Sequence, residues 1–187
     1  MLDCNAVVII PCKMDSQRLP RKNLSIIENK TLLEHSILYA QESKYTTHVV
    51  VSTESEEVKN ISRNYSVVVL DRPKSLLKDA DTVDVYVDAF RRYNFPDTIT
   101  HVVGLQPDNP DRNYSLDTIL EYFITKKYDD LVTVGSDGTR NGSVRVIKAE
   151  YVRDDNVSRR VGTFLDDCTN IHSEKDLNLA KERMKND

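Results

Sequence analysis

Short runs of β-branched and aliphatic residues, each followed by a stretch with helical spacing, set the narrowest limit on what this chain can fold into. VVII at 7–10 ends at Pro11, HVVVS spans 48–52 and VVVL spans 67–70. Each run is too short for a buried helix and rich in the side chains that a strand covered on both faces accepts. Between the first two lies TLLEHSILYAQ, where Leu33, Ile37 and Ala40, beside Leu32 and Ser36, share one helical face. Between the second and third, Thr53 and Glu56 have capping-box spacing for a helix over 54–63, with Val58 and Ile61 turned inward. Strand, helix, strand, helix, strand predicts an α/β fold, a Rossmann-like and mostly parallel sheet with helices on both faces.

The alternation continues to the end of the sequence. A helix is predicted over 82–93 with Val83, Tyr86, Val87 and Phe90 as its stripe, then a strand over 99–105 that ends in LQPDNP. A helix over 115–125 and the strand LVTVG at 131–135 follow, and SVRVIKA reads as a short strand leading into a turn or brief helix. In SEKDLNLAKERM, Ser173 is placed to cap a last helix, Glu174 sits in its first turn, and Leu177, Ala180 and Met184 share a face. The 187 residues contain no repeat, low-complexity tract or linker. At about 150 residues per domain they predict a single domain over 1–187.

Charge and leader signals narrow the partners. Lys and Arg number 26 against 30 Asp and Glu, a net charge of −4 that gives no global attraction to nucleic acid or anionic lipid. MLDCNAVVIIP lacks the basic start and unbroken apolar stretch of a signal peptide, so a cytoplasmic protein with no membrane partner is expected. Cys4, Cys12 and Cys168 lack metal-ligand spacing and read as reduced thiols.

In sheets of this type functional groups gather beyond the carboxyl ends of the strands. The segments to inspect are 11–23, 71–82, 106–112 and whatever strand precedes residue 170. Loop 12–23 holds Lys13, Arg18, Arg21 and Lys22 with Ser16 and Asn23 among them. Such a cluster at a strand end suits a polyphosphate, and it equally suits a solvated loop. Neither the GxxxxGK[ST] nor the GxGxxG pattern is present.

VVIIPCKMDSQRLPRKN resembles the N-terminal signature of the acylneuraminate cytidylyltransferases, which join CMP to sialic acid and related nonulosonic acids. The matching positions are Ile10-Pro11, Lys13, Ser16, Arg18 to Pro20, Lys22 and Asn23. Further segments are similar to that family: HVVVSTESEEVKNIS, DRPKSLLKDADTVDV through Arg72, Pro73, Asp79 and Thr82, VVGLQPDNPDR, and NIHSEKDLNLA.

The resemblance implies a nucleotidyltransferase that moves CMP from CTP to a small acidic sugar, a nonulosonic or other 3-deoxy-ulosonic acid, and releases pyrophosphate. It implies Mg²⁺ or Mn²⁺ as cofactor. Lys13, Arg18 and Lys22 are then candidates for the phosphates, Ser16 and Asn23 for phosphate or nucleotide, and Arg72 and Thr82 for nucleotide or sugar. Gln106 would stand near the acceptor. Lys22, Arg18 and Asp108 are the candidate catalytic residues.

Asp108 would bind metal, as the Asp of Leu-Gln-Gly-Asp does in the related Kdo enzymes, or it would cap the turn between Pro107 and Pro110. The family's two metal-binding Asp residues fall at Asn170 and His172, which bring no charge. Three outcomes stay open: Asp108 carries the metal with His172 and Asn170 assisting, the acceptor, nucleotide or metal has changed, or the chain is a non-catalytic nucleotide-binding relative. Asp166 and Asp167 are either compensating ligands or an exposed turn. The interval 136–165 is too short for the family's full dimerisation arm, so a homodimer would not use the usual swapped arm. Arg145, Arg153, Arg159 and Arg160 in that interval are placed to meet an acceptor carboxylate or to form a solvated face.

Overall fold

The computed structural model describes residues 3–14, 18–77, 80–154 and 157–185. The chain opens with β1 (Ala6–Pro11), and a loop leads through a 3-10 turn at Lys22–Leu24 to a small hairpin of β2 (Ile26–Ile27) and β3 (Lys30–Thr31). Thr31 then caps α1 (Leu32–Gln41): its hydroxyl accepts from Glu34 N while the Glu34 carboxylate accepts from Thr31 N, a closed capping box.

β4 (Thr46–Thr53) and α2 (Glu56–Ser62) correct one expectation. The strand runs on through Thr53, so the cap passes to Ser55, whose Oγ accepts from Val58 N, while Thr53 Oγ1 accepts from Ser55 N. The remaining elements are β5 (Val68–Asp71), α3 (Thr82–Tyr93), β6 (His101–Leu105), α4 (Leu116–Thr125), β7 (Asp130–Val134), β8 (Arg140–Lys148), α5 (Ala149–Arg153), β9 (Val161–Leu165) and α6 (Glu174–Met184).

The sheet order is β5-β4-β1-β6-β8-β7-β9, parallel throughout except that β8 runs against β6 and β7. Alternation along β1 divides the core between the two faces. Ala6, Val8, Ile10 and Cys12 face α1, α2 and α4, whereas Val7 and Ile9 face α3 and α5. A third, smaller cluster of Leu19, Ile27, Leu32, Ile171, Leu177 and Ala180 joins the loop after β1 to α6. Burial of each large aliphatic side chain there contributes about 1.5–3 kcal/mol, so this cluster anchors two otherwise irregular segments. No helix among the described residues is long and apolar enough to cross a membrane.

His101 lies buried in β6 with its ring edge-on to Phe123 and its Nδ1 2.7 Å from Thr100 Oγ1. Burial, aided by the charge of Lys148, pulls its pKa down to about 4. In the unfolded chain the ring takes a proton near pH 6.5, so between there and about pH 4 the unfolded state binds more protons. Stability is therefore full above pH 6.5 and is lost as pH falls through that window, on the order of 3 kcal/mol. His101→Gln should remove that part of the acid slope in urea titrations from pH 7 to 4, and an unchanged slope would assign it to other groups.

Candidate active site

Three segments converge beyond the carboxyl ends of β1 and β6. The loop after β1 is pinned at its start: Cys12 N donates to Ser52 O (2.9 Å), Met14 N to Glu54 Oε1 (2.8 Å), and Asn23 Nδ2 to Lys13 O (3.0 Å). The Cys12 thiol is buried, which pushes its pKa up to about 12 and leaves it inert. Leu19 inserts into the third apolar cluster while Arg18 stays exposed. Ser16 and Asp79 lie outside the described residues.

Lys22 N donates to Leu19 O (3.2 Å), and Arg21 between them adopts φ 58°, the left-handed conformation. This turn delivers the Lys22 side chain across to the loop after β6. Lys22 Nζ meets Asp108 Oδ2 at 2.5 Å and Ile171 O at 2.9 Å, with Lys22 and Asp108 side chains only 13% and 10% exposed. The partner of Asp108 Oδ2 is thus a cation 86 residues away in sequence, and Oδ1 is buried without a partner. Ile171 N donates to Asp108 O (3.0 Å), which seats the tail segment 167–173 directly against the Asp108 loop.

The tail residues present unsatisfied acceptors. Asn170 Nδ2 donates to Asn141 O (3.2 Å), leaving Asn170 Oδ1 buried and unpaired. His172 N donates to Asp176 Oδ2 (3.0 Å), and His172 Nδ1 is also buried without a partner. Burial, then the charges of Arg18 and Lys22, lower the His172 pKa, so the ring is neutral at neutral pH. Gln106 N donates to Ser143 O (3.2 Å), and its side-chain amide packs against Gly142, where an added Cβ would stand 2.5 Å from Gln106 Nε2. Gly142 has φ 70°, so both space and backbone exclude a larger residue. Gln106 therefore borders the Asn141–Gly142 corner that Asn170 also holds.

Arg72 stands on the other side of β1, buried, with Nη2 donating to Ser52 O (3.0 Å) and Nε unpaired. Burial lowers its pKa while the nearby Glu54 carboxylate opposes that shift. Thr82 is the first residue of α3, half-buried, and no hydrogen bond among the described residues links it to the Lys22–Asp108 pair.

Contacts in the 136–167 region bear on the Asp166–Asp167 pair and on three of the four arginines. Asp166 is buried, its Oδ1 accepting from Asn113 N (3.1 Å) and Nδ2 (2.9 Å) and its Oδ2 without a partner, whereas Asp167 is exposed and its Oδ1 accepts from Ser136 N (3.2 Å). Arg145 holds Asp130 bidentately at 3.0 and 2.5 Å, Arg153 donates to Pro96 O and Ile99 O, and Arg160 donates to Lys126 O. Three contacts of the site were not read from the sequence: Glu54 with Met14 N, Asn141 O with Asn170, and Ile171 O with Lys22.

A divalent ion of the Mg²⁺ or Mn²⁺ kind takes oxygen-rich ligands, which buried acceptors without partners can supply. Among the described residues no group of three or more His, Cys, Asp and Glu is arranged around a common point. Asp108 Oδ1, Asn170 Oδ1 and His172 Nδ1 are each buried without a partner, on two segments that the Ile171 N to Asp108 O bond brings side by side. As a donor set these atoms are of types a divalent ion accepts, they bring a single formal charge, and an imidazole nitrogen suits the softer Mn²⁺ better than Mg²⁺.

The left-handed Arg21 supplies a prediction. A non-glycine residue in that conformation costs roughly 1–2 kcal/mol. Its Nη2–Glu57 Oε1 pair at 2.6 Å is 62% and 48% exposed, and an exposed pair returns about 0–1 kcal/mol. Strain relief exceeds the pair, so Arg21→Gly should raise the thermal midpoint slightly and Arg21→Val should lower it. A lower midpoint for the glycine variant would mean the ion pair dominates.

The sheet order and its flanking helices are shared with solved α/β structures. The fold overlays CMP:2-keto-3-deoxy-manno-octonic acid synthetase complexed with CTP with a TM-score of 0.76 at 13% identity, over 97% of this chain and 99% of that one. A cytidylyltransferase from Leptospira borgpetersenii gives 0.75 at 18% identity, over 98% and 88%. This is the class of Rossmann-like nucleotidyltransferase folds.

Within that class, residues 7–157 match the cytidylyltransferase family profile, and the chain belongs to that family. It is 30% identical over 139 residues to the 3-deoxy-manno-octulosonate cytidylyltransferase of Rickettsia typhi, covering 72% of this chain and 54% of the relative. It is also 30% identical over 109 residues to the CMP-N,N'-diacetyllegionaminic acid synthase of Legionella pneumophila, covering 57% and 47%. The chain spans about half the length of these curated relatives.

Proposed function

We propose that this chain transfers CMP from CTP to a small acidic sugar, a nonulosonic or other 3-deoxy-ulosonic acid, with release of pyrophosphate. The observation that carries the reading is the buried Lys22–Asp108 pair, set between the basic loop and a tail of unpaired acceptors. The names of the curated relatives, all sugar-acid CMP-transferring enzymes, support the acceptor class.

In this reading Lys13, Arg18 and Lys22 receive the triphosphate, and Lys22 exchanges one Asp108 oxygen for a phosphate oxygen as the nucleotide enters. Ser16, Asn23, Arg72 and Thr82 serve the nucleotide. Asp108, with Asn170 and His172, would hold Mg²⁺ or Mn²⁺, which when bound offsets charge on the transferred and departing phosphates. Gln106, beside Gly142, orients the acceptor so that its hydroxyl faces the α-phosphorus in line. The chain's own contribution is positioning plus fixed charge in a largely buried site.

Calorimetric titration of CTP with Mg²⁺, with Mn²⁺ and with EDTA, against UTP, ATP and GTP, tests the donor half. CTP should bind selectively and more tightly with metal, Mn²⁺ exceeding Mg²⁺. Pyrophosphate release across a panel of acidic sugars tests the rest, and folded protein that is inactive with every sugar and both ions would refute the transferase.

The single carboxylate in the donor set favours one second reading, a nucleotide-binding relative without turnover. Tight CTP binding with no release, unchanged by Asn170→Asp with His172→Asp, would select it.

A further inference from the structure

The segment bearing Asn170, Ile171 and His172 is irregular chain, and α6 holds it from both ends. At the near end Asp176 accepts from His172 N (3.0 Å) and Ser173 N (2.8 Å). At the far end Arg183 reaches back from the last turn: Nη2 donates to Asp167 O (2.5 Å) and Nη1 to Thr169 Oγ1 (3.3 Å). Its Nε lies 3.1 Å from Asp111 Oδ2.

Asp111 belongs to the same loop as Asp108, and its side chain is only 2% exposed. It accepts from Thr169 N (2.8 Å) and Thr169 Oγ1 (2.7 Å) in addition to meeting Arg183. A carboxylate so enclosed needs both a countercharge and filled lone pairs, and Arg183 and Thr169 supply them. The three side chains therefore close a ring that ties the loop after β6 to the tail. Two residues beyond that ring, Ile171 N donates to Asp108 O and Ile171 O accepts from Lys22.

We propose that Arg183 is a positioning residue that, through Asp111 and Thr169, holds Asn170, Ile171 and His172 against the Lys22–Asp108 pair and so sets the geometry of the ion-binding edge. The ion-binding part rests on the cytidylyltransferase reading above. A contact that only added stability would weaken the whole molecule evenly. This one joins the two segments whose separation fixes where the unpaired acceptors lie.

Arg183→Lys keeps the charge but replaces a fork serving Asp111, Thr169 and Asp167 with a single point of donation. Arg183→Ala would strand the buried Asp111 carboxylate and risk unfolding. The companion variant is therefore Asp111→Asn with Arg183→Gln, which removes both charges together. The first readout is the Ile171 amide resonance in the ligand-free protein. The second is Mn²⁺ affinity in the presence of CTP, from the paramagnetic resonance signal of free Mn²⁺, beside CTP affinity in EDTA.

In both variants the Ile171 amide should shift and Mn²⁺ should bind about 10–100-fold more weakly, the usual cost of losing an outer partner of a metal site. CTP affinity in EDTA should stay at the wild-type level. Mn²⁺ affinity equal to wild type in both variants would overturn the proposal, as would an equal fall of both affinities alongside the melting temperature. Wild-type protein that binds neither CTP nor Mn²⁺ would overturn the functional reading and the ion-binding half with it. The Ile171 amide then decides the positioning alone, and an unmoved resonance overturns it.

Discussion

Asp108→Asn should lower the proposed CMP transfer by about a thousandfold, the upper range for removing a group that acts on charge developing in a transition state. The substitution keeps the shape of the side chain and deletes the charge of the donor set. It also leaves Lys22 facing a neutral amide in a largely buried position. Breaking a buried pair by removing one partner costs about 3–5 kcal/mol. Lys22 retains Ile171 O and is still 13% exposed, so a loss below that range is expected. Asp108→Asn combined with Lys22→Met should therefore recover stability without recovering rate. A near-normal rate in a folded Asp108→Asn protein would remove Asp108 from the chemistry and return it to holding the loop.

Gly104→Val is expected to be the most damaging single change to the fold. Gly104 sits in the middle of β6, paired with Ile9 on one side and Arg145 on the other, and the Tyr86 ring of α3 occupies the space a Cβ would need. Tyr86 is itself buried, so the ring has nowhere to retreat. Overpacking of a closed core costs about 1–3 kcal/mol, and a branched side chain against a trapped ring belongs at or beyond the top of that range. At roughly 2–4 °C per kcal/mol for a chain of this size, the melting temperature should drop by about 6–12 °C. Adding Tyr86→Ala should recover part of the loss, and a Gly104→Val protein melting like the wild type would show that α3 can move away from the sheet.

The parts of the fold legible in the sequence are those fixed by local pattern. VVII reads as a strand buried on both faces, and Ser173 announced a helix start through hydrogen bonds made within a turn. Thr53 misled because its hydroxyl and spacing suit a cap, yet pairing with Asp71 in β5 keeps it in the strand. β9 left almost no trace: Val161, Thr163 and Leu165 point outward from the sheet edge, so solvent and not the core determines their pattern.

The site divides in the same way. Lys22, Asp108, Asn170 and His172 were visible as residue types, but the pairing of Lys22 with Asp108 depends on the third apolar cluster drawing Leu19 and Ile171 together. Main-chain partners such as Ile171 O cannot be read from side-chain chemistry at all.

The reversed direction of β8 separates two tasks in the proposed reaction. Its antiparallel neighbours β6 and β7 turn their carboxyl ends to that side of the sheet, whereas β8 brings its start, reached from β7 by the short turn closed through Gly135 N to Thr139 O (2.9 Å). The Asn141–Gly142 corner beside Gln106 and Asn170 thus hangs from a surface hairpin, not from a crossover helix. Turns of that kind change length at little thermodynamic cost. Under the proposed function, a change of length there would alter the side of the site assigned to the acceptor without touching the contacts that pin the loop after β1.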